Sequence, residues 1–198
     1  MSWHVPFVRP IDEIRKRVNS SLITMKTNIA TFCASLLLAA SVGLHADEPT
    51  KSTKSSPDFE RMKSLVGTWK GTADMGHGPM DMTIEYKLLA GGSVLEERDF
   101  PGTPHEMVTM YYEKDGKLAL THYCVMGNRP GMVLKSSDDK TLKFDFDEMC
   151  GIDPAKESHM HALTIRFDST DSITTSCKAM IDGKPIEEHA TTLKRVKT

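Results

Sequence analysis

The chain has 198 residues, with 25 Lys/Arg against 27 Asp/Glu and a formal net charge of −2 at pH 7. A slight acidic excess with no basic run lacks the electrostatic footprint of a nucleic-acid or anionic-lipid partner. The length suits one domain, which at this size buries about two-thirds of its unfolded surface.

Residues 1–24 lie upstream of a credible start at Met25 and read as an extended N-terminus. From there the order is Met25-Lys26-Thr27-Asn28, an apolar run over 29–44, then Leu44-His45-Ala46 before Asp47. That is the three-part plan of a secretory signal. The run falls short of the ~20 residues a bilayer-spanning helix needs, so 25–46 is expected to be cleaved on export rather than kept as an anchor. Cys33 follows Thr31-Phe32 and completes no lipoprotein signature. Segment 47–57, rich in Pro, Ser, Thr and Lys, reads as a flexible spacer, and the mature domain is expected over 58–198. Cys124, Cys150 and Cys177 remain in that domain, an odd number that allows one disulfide and leaves a thiol over.

Phe59, Met62, Leu65 and Val66 recur at helical spacing, which predicts a short helix over 58–65 with Asp58 as its cap. After Gly67 the pattern changes to short β-rich runs broken by Gly, Asp, Pro and Ser. Ten strands are expected: 67–74, 80–89, 93–100, 106–113, 117–126, 131–136, 141–147, 159–168, 172–181 and 185–196. The even-numbered connections between them (90–92, 114–116, 137–140, 169–171) are all tight turns of the kind Gly and Asp permit. The longer ones (75–79, 101–105, 127–130, 148–158) are odd-numbered. In an up-and-down β-barrel successive connections alternate between the two ends. One end should therefore be stitched shut and the other should carry the loops, where functional residues gather.

A short helix followed by Leu65-Val66-Gly67-Thr68-Trp69, with Arg195 in the last strand, resembles the calycin superfamily of lipocalins and fatty-acid-binding proteins. The resemblance implies an all-β antiparallel barrel in which Trp69 plugs the closed end, stacks on Arg195 and is set by Gly67. A narrower likeness rests on Gly91-Gly92-Ser93, Phe100-Pro101-Gly102, His105-Glu106-Met107-Val108-Thr109, Thr121-His122-Tyr123-Cys124, Gly127-Asn128-Arg129-Pro130 and His159-Met160-His161. These segments resemble an uncharacterised bacterial lipocalin-like family with exported and cytoplasmic members, which implies the fold and no particular activity.

Residues two apart on a strand share a face. His159 and His161 share theirs with Leu163, Ile165 and Phe167, so both imidazoles are expected inside. His122, Cys124 and Met126 are expected to share a face with Leu118 and Leu120. Both groups, with His105, His77, Met75, Met80 and Cys150, then lie at the open end. An His-x-His pair with His122 and Cys124 or Cys150 would suit zinc, and nearby methionines would admit copper. Calycin relatives hold haem through an inward His, which implies His105 or His122 as an axial ligand in a Met-rich pocket. The competing reading is a buried network of His, Tyr123 and Asn128 that only holds the barrel together.

No Gly-x-Ser-x-Gly elbow, His-Glu-x-x-His helix or phosphate-binding loop is present. Glu96, Glu97 and Asp99 are expected on the outer surface, with an inward Glu97 as the lesser alternative. The leading expectation is an exported binding barrel, monomeric or homodimeric and not membrane-bound after cleavage. It would take a small apolar molecule, a metal ion or haem at its mouth through His105, His122, Tyr123, Cys124, Met126, Asn128, His159 and His161. The alternatives are an enzyme using His122, His159 and His161 around a metal, or His122 and Cys124 as a thiol–imidazole pair, or a structural envelope protein whose histidine network holds the barrel together.

Overall fold

The computed structural model describes residues 55–74, 78–186 and 189–197. The expected signal segment 25–46, the residues before it, most of the spacer, and Met75 and His77 of the first loop lie outside the described residues. One short helix, α1 (Pro57–Lys63), precedes eleven strands: β1 (Gly67–Asp74), β2 (Pro79–Leu89), β3 (Val94–Asp99), β4 (Met107–Lys114), β5 (Lys117–Tyr123), β6 (Gly131–Ser137), β7 (Thr141–Phe146), β8 (His159–Ser169), β9 (Ser172–Ile181), β10 (Lys184–Pro185) and β11 (His189–Arg195). From β1 to β9 each strand pairs antiparallel with the next, β11 pairs with β9, and β11 returns to β1. The result is a closed ten-strand antiparallel barrel, which leaves no sheet edge to be protected. The expected tenth strand is split. Two residues, β10, turn back on the end of β9, and β11 alone completes the ring.

Local chemistry explains the closed end. Ser56 Oγ accepts from the Phe59 amide, and Pro57 starts the helix, where its missing N–H costs nothing. Phe59 and Met62 face inward with Leu65, all at most 1% exposed. Arg61 donates to Ser137 Oγ and to the Asp138 carbonyl at the β6–β7 turn, fixing α1 across the tight-turn end. Asp115-Gly116, joining β4 to β5, has positive φ at both residues, as a two-residue hairpin matched to strand twist requires.

Inward positions alternate cleanly. On β3 the buried residues are Leu95, Glu97 and Asp99, with Val94, Glu96 and Arg98 on the other side. Trp69, Leu95, Tyr111, Leu120, Leu142 and Phe144 are at most 2% exposed and fill the lumen. The fifth strand stops at Tyr123, short of the expected 126. The Cys124 amide donates to the Asn128 carbonyl and Gly127 to that of Cys124, so the chain turns there. Cys124 and Met126 therefore leave the face they were expected to share with His122.

Candidate functional site

The register of four neighbouring strands builds a polar row inside the barrel. Tyr86 on β2 lies opposite Glu97 on β3, Glu97 opposite Thr109 on β4, and Thr109 opposite His122 on β5. All four are buried, between 1% and 7% exposed. Thr109 Oγ1 lies 2.8 Å from His122 Nδ1, and Tyr111 donates its hydroxyl to Glu97 Oε2 at 2.9 Å. Asp99, two residues from Glu97 and on its face, ends β3 beneath the 100–106 loop. Among the described residues, Tyr86 Oη and Asp99 Oδ1 are buried with no hydrogen-bond partner.

Burial sets the ionisation of this row. It raises Glu97, with the facing hydroxyls of Tyr86, Tyr111 and Thr109 pulling partly the other way. It raises Asp99 well above the usual carboxylate range, and the neighbouring Glu97 adds to the effect. Tyr86 and Tyr111 are pushed up by burial and then by Glu97. His122 is pushed down to about 4 by burial alone, so its imidazole is neutral near pH 7. Its Nδ1 is engaged by Thr109 and its Nε2 takes no hydrogen bond from any described residue.

A second group stands at the end of β7 and start of β8. His159, wholly buried, places Nδ1 2.6 Å from the Glu157 carbonyl and Nε2 3.0 Å from His161 Nδ1. A carbonyl can only accept, so His159 Nδ1 carries a proton; with one proton on that ring, its bare Nε2 accepts from His161 Nδ1–H. That leaves His161 Nε2 as a free acceptor. Phe146 stacks on His161 at 5.2 Å and 14° and packs against His159 at 4.7 Å. Partial burial lowers His161, helped by His159 and Lys178 and opposed by Asp145.

The expected site residues thus divide. His159 and His161 meet, whereas His122 binds Thr109 on the other side of β6 and β7. Among the described residues no three His, Cys, Asp or Glu side chains are arranged to hold a metal ion. Cys124 and Cys150 are half-buried thiols, and burial raises Cys124. Asn128 does not join the histidines: its Nδ2 donates to the Ser158 carbonyl at 2.8 Å, tying loop 124–130 to loop 147–158, while its Oδ1 is buried without a partner. His105 is exposed in the 100–106 loop, and Tyr123 and Met126 are 49% and 43% exposed on the rim.

Two acids expected outside, Glu97 and Asp99, are inside. Their parity with Leu95 was the readable signal, and it outweighs the preference of carboxylates for water because Tyr111 supplies one a partner.

No protein-family model and no curated protein matches the chain in sequence. Solved structures do match in shape. Rv2717c from M. tuberculosis superposes with a TM-score of 0.50 at 18% identity, over 72% of this chain and 99% of that one. A protein of unknown function from the DUF3598 family of Nostoc punctiforme gives 0.48 at 13% identity, over 68% of this chain and 49% of its own. The first likeness is one of fold alone.

Proposed function

We propose that this is an exported, lipocalin-like barrel that binds a small ligand entering at its open end and contacting His122. The observation that carries this reading is the state of that imidazole. It is buried, neutral and fixed through Nδ1 by Thr109, and its Nε2 has no hydrogen-bond partner among the described residues. With the Thr109 hydroxyl turned to Glu97, its oxygen accepts from Nδ1–H and Nε2 presents a lone pair. A lone imidazole nitrogen at the end of the polar row, in a lumen otherwise lined by apolar and aromatic side chains, suits an apolar molecule with one acceptor-seeking group, or haem held by a single protein ligand. A four-coordinate zinc or copper site is less suited, because among the described residues its donors are not assembled. Bound haem would supply the redox or gas-binding chemistry. His122 would hold it, and the apolar lining would keep water out.

The test is to purify the protein from its native compartment. Its absorption spectrum, its metal content and the mass spectrum of its denatured extract are then recorded. A stoichiometric ligand that is lost in His122→Ala and kept in His105→Ala supports the reading. Protein with no ligand by all three measurements, in which His122→Ala changes only the melting temperature, sinks it.

A further inference from the structure

The acid end of the polar row has no counter-charge. Glu97 and Asp99 bring four carboxyl oxygens into the lumen; the Tyr111 hydroxyl donates to Glu97, the Tyr86 and Thr109 hydroxyls face the same carboxyl, and Asp99 Oδ1 has no partner among the described residues. The nearby cations are committed elsewhere. Arg98 points outward to Glu96 and Glu106, and Arg195 is bound to main-chain carbonyls at the closed end. Two polar atoms aimed into this cluster, Asp99 Oδ1 and Tyr86 Oη, are unpartnered on residues 6% and 3% exposed. Buried polar groups are ordinarily satisfied, and buried carboxylates are ordinarily paired. Asp99 is the last residue of its strand and lies at the loop-bearing end, within reach of a ligand entering there.

The geometry points to Glu97 and Asp99, flanked by Tyr86 and Tyr111, as the recognition site for a small primary ammonium group. This deepens the reading of a ligand-binding open end and rests on it. An ammonium is compact and brings three N–H donors, enough for Asp99 Oδ1, a Glu97 oxygen and the Tyr86 oxygen. The two phenol rings offer cation–π faces. A divalent cation is a poorer match, because two carboxyls with neutral phenols give it too few charged ligands.

The other titratable groups around the pair are Tyr86 on β2, Tyr111 on β4, His122 farther along the row on β5, and Cys177 on β9 beside Tyr111. None is cationic near neutral pH. Seating a cation should therefore release a proton from the acid pair.

The experiment is calorimetric titration of the purified protein with methylammonium chloride at pH 7.5, with sodium chloride as control. It is run in two buffers of different ionisation enthalpy. Expected are a saturable heat with methylammonium alone, proton release on binding, and roughly tenfold or greater loss of affinity in Asp99→Asn and in Glu97→Gln. These amides keep the shape of the acids, and circular dichroism checks their fold. His105→Ala should keep the methylammonium heat, and loss of a native ligand in His122→Ala is read separately by absorption and mass, which separates this test from that of the histidine reading. If methylammonium gives no saturable heat, or the amide variants bind it as well as wild type, the proposal is overturned whatever the native ligand proves to be.

Discussion

The Arg195 guanidinium lies 4.3 Å from the centre of the Trp69 ring and donates to the carbonyls of Val66 and Ser64 at 2.8 and 2.7 Å. Trp69 in turn donates its indole N–H to the Leu65 carbonyl at 2.7 Å. These two side chains therefore satisfy the main chain that leaves α1, and they close the barrel floor while doing so. Arg195→Ala should cost about 2–4 kcal/mol, because it strands two carbonyls and one aromatic face. Urea unfolding measures it, and a loss below about 0.5 kcal/mol would mean that the floor does not depend on this pair.

Gly71 marks the seam where β1 meets β11. A Cβ placed there would stand 2.3 Å from the Thr192 carbonyl oxygen and 3.1 Å from a Leu193 methyl. Neither backbone can yield without breaking the ladder that closes the ring. Gly71→Ala should destabilise by about 1–3 kcal/mol, whereas Gly102→Ala, with open space around it, should lose only the strain of its positive φ. Comparing their urea midpoints tests whether closure, rather than glycine loss in general, is at stake.

Much of the barrel could be read before any coordinates. Tight turns and long loops alternate along the chain, and the structure places them at opposite ends, with Trp69 and Arg195 at the closed one. His159 and His161 were readable as an adjacent pair because alternation on an apolar strand is strict. Turning was not readable at Cys124, where an amide-to-carbonyl bond with Asn128 overrides a run that looks like strand. The acids were missed for a different reason. Glu97 belongs by parity with Leu95, but a composition rule places carboxylates in water, and it is the hydroxyls arriving from neighbouring strands, Tyr111 foremost, that make its interior place acceptable. Which imidazole meets which depends on contacts across β6 and β7, and no local pattern encodes that distance.

Two opposing proton linkages should shape stability. His122 titrates at about 4 in the folded state against 6.5 ordinarily. The unfolded chain thus binds more protons between those values, and the stability His122 contributes is lost as pH falls through that window, by about 3 kcal/mol in all. Glu97 and Asp99 are raised, so their contribution has the opposite sign: complete below the ordinary carboxylate range and lost as pH climbs through their folded values. His122→Gln should flatten the decline on acidification, and Asp99→Asn with Glu97→Gln should remove the decline on the alkaline side. Urea midpoints between about pH 4 and 8 decide it; an unchanged acid limb in His122→Gln would count against a depressed imidazole.

Tyr86→Phe offers a test with an unusual sign. Its hydroxyl is buried and unpartnered, so deleting it removes a desolvation penalty while keeping the ring in the core. Stability of the ligand-free protein should rise by about 1 kcal/mol. A loss of similar size would mean that the hydroxyl is in fact satisfied through Glu97.

The histidine pair makes the most specific prediction, because its tautomers follow from one carbonyl. Glu157 O can only accept, which puts a proton on His159 Nδ1; with that ring singly protonated, His161 donates its own Nδ1–H to His159 Nε2. In that arrangement both rings hold the less common Nδ1–H form, visible as unprotonated Nε2 signals in long-range ¹H–¹⁵N spectra. Substitution should follow the same asymmetry. His159→Phe leaves both the Glu157 carbonyl and the His161 N–H without a partner in a wholly buried place, and should cost about 2–4 kcal/mol. His161→Phe keeps the stack on Phe146, strands only the His159 nitrogen, and should cost about 1 kcal/mol. Equal losses, or an Nε2–H signal from His159, would show that the proton runs the other way along the pair and that His161 Nε2 is not the free acceptor at the rim.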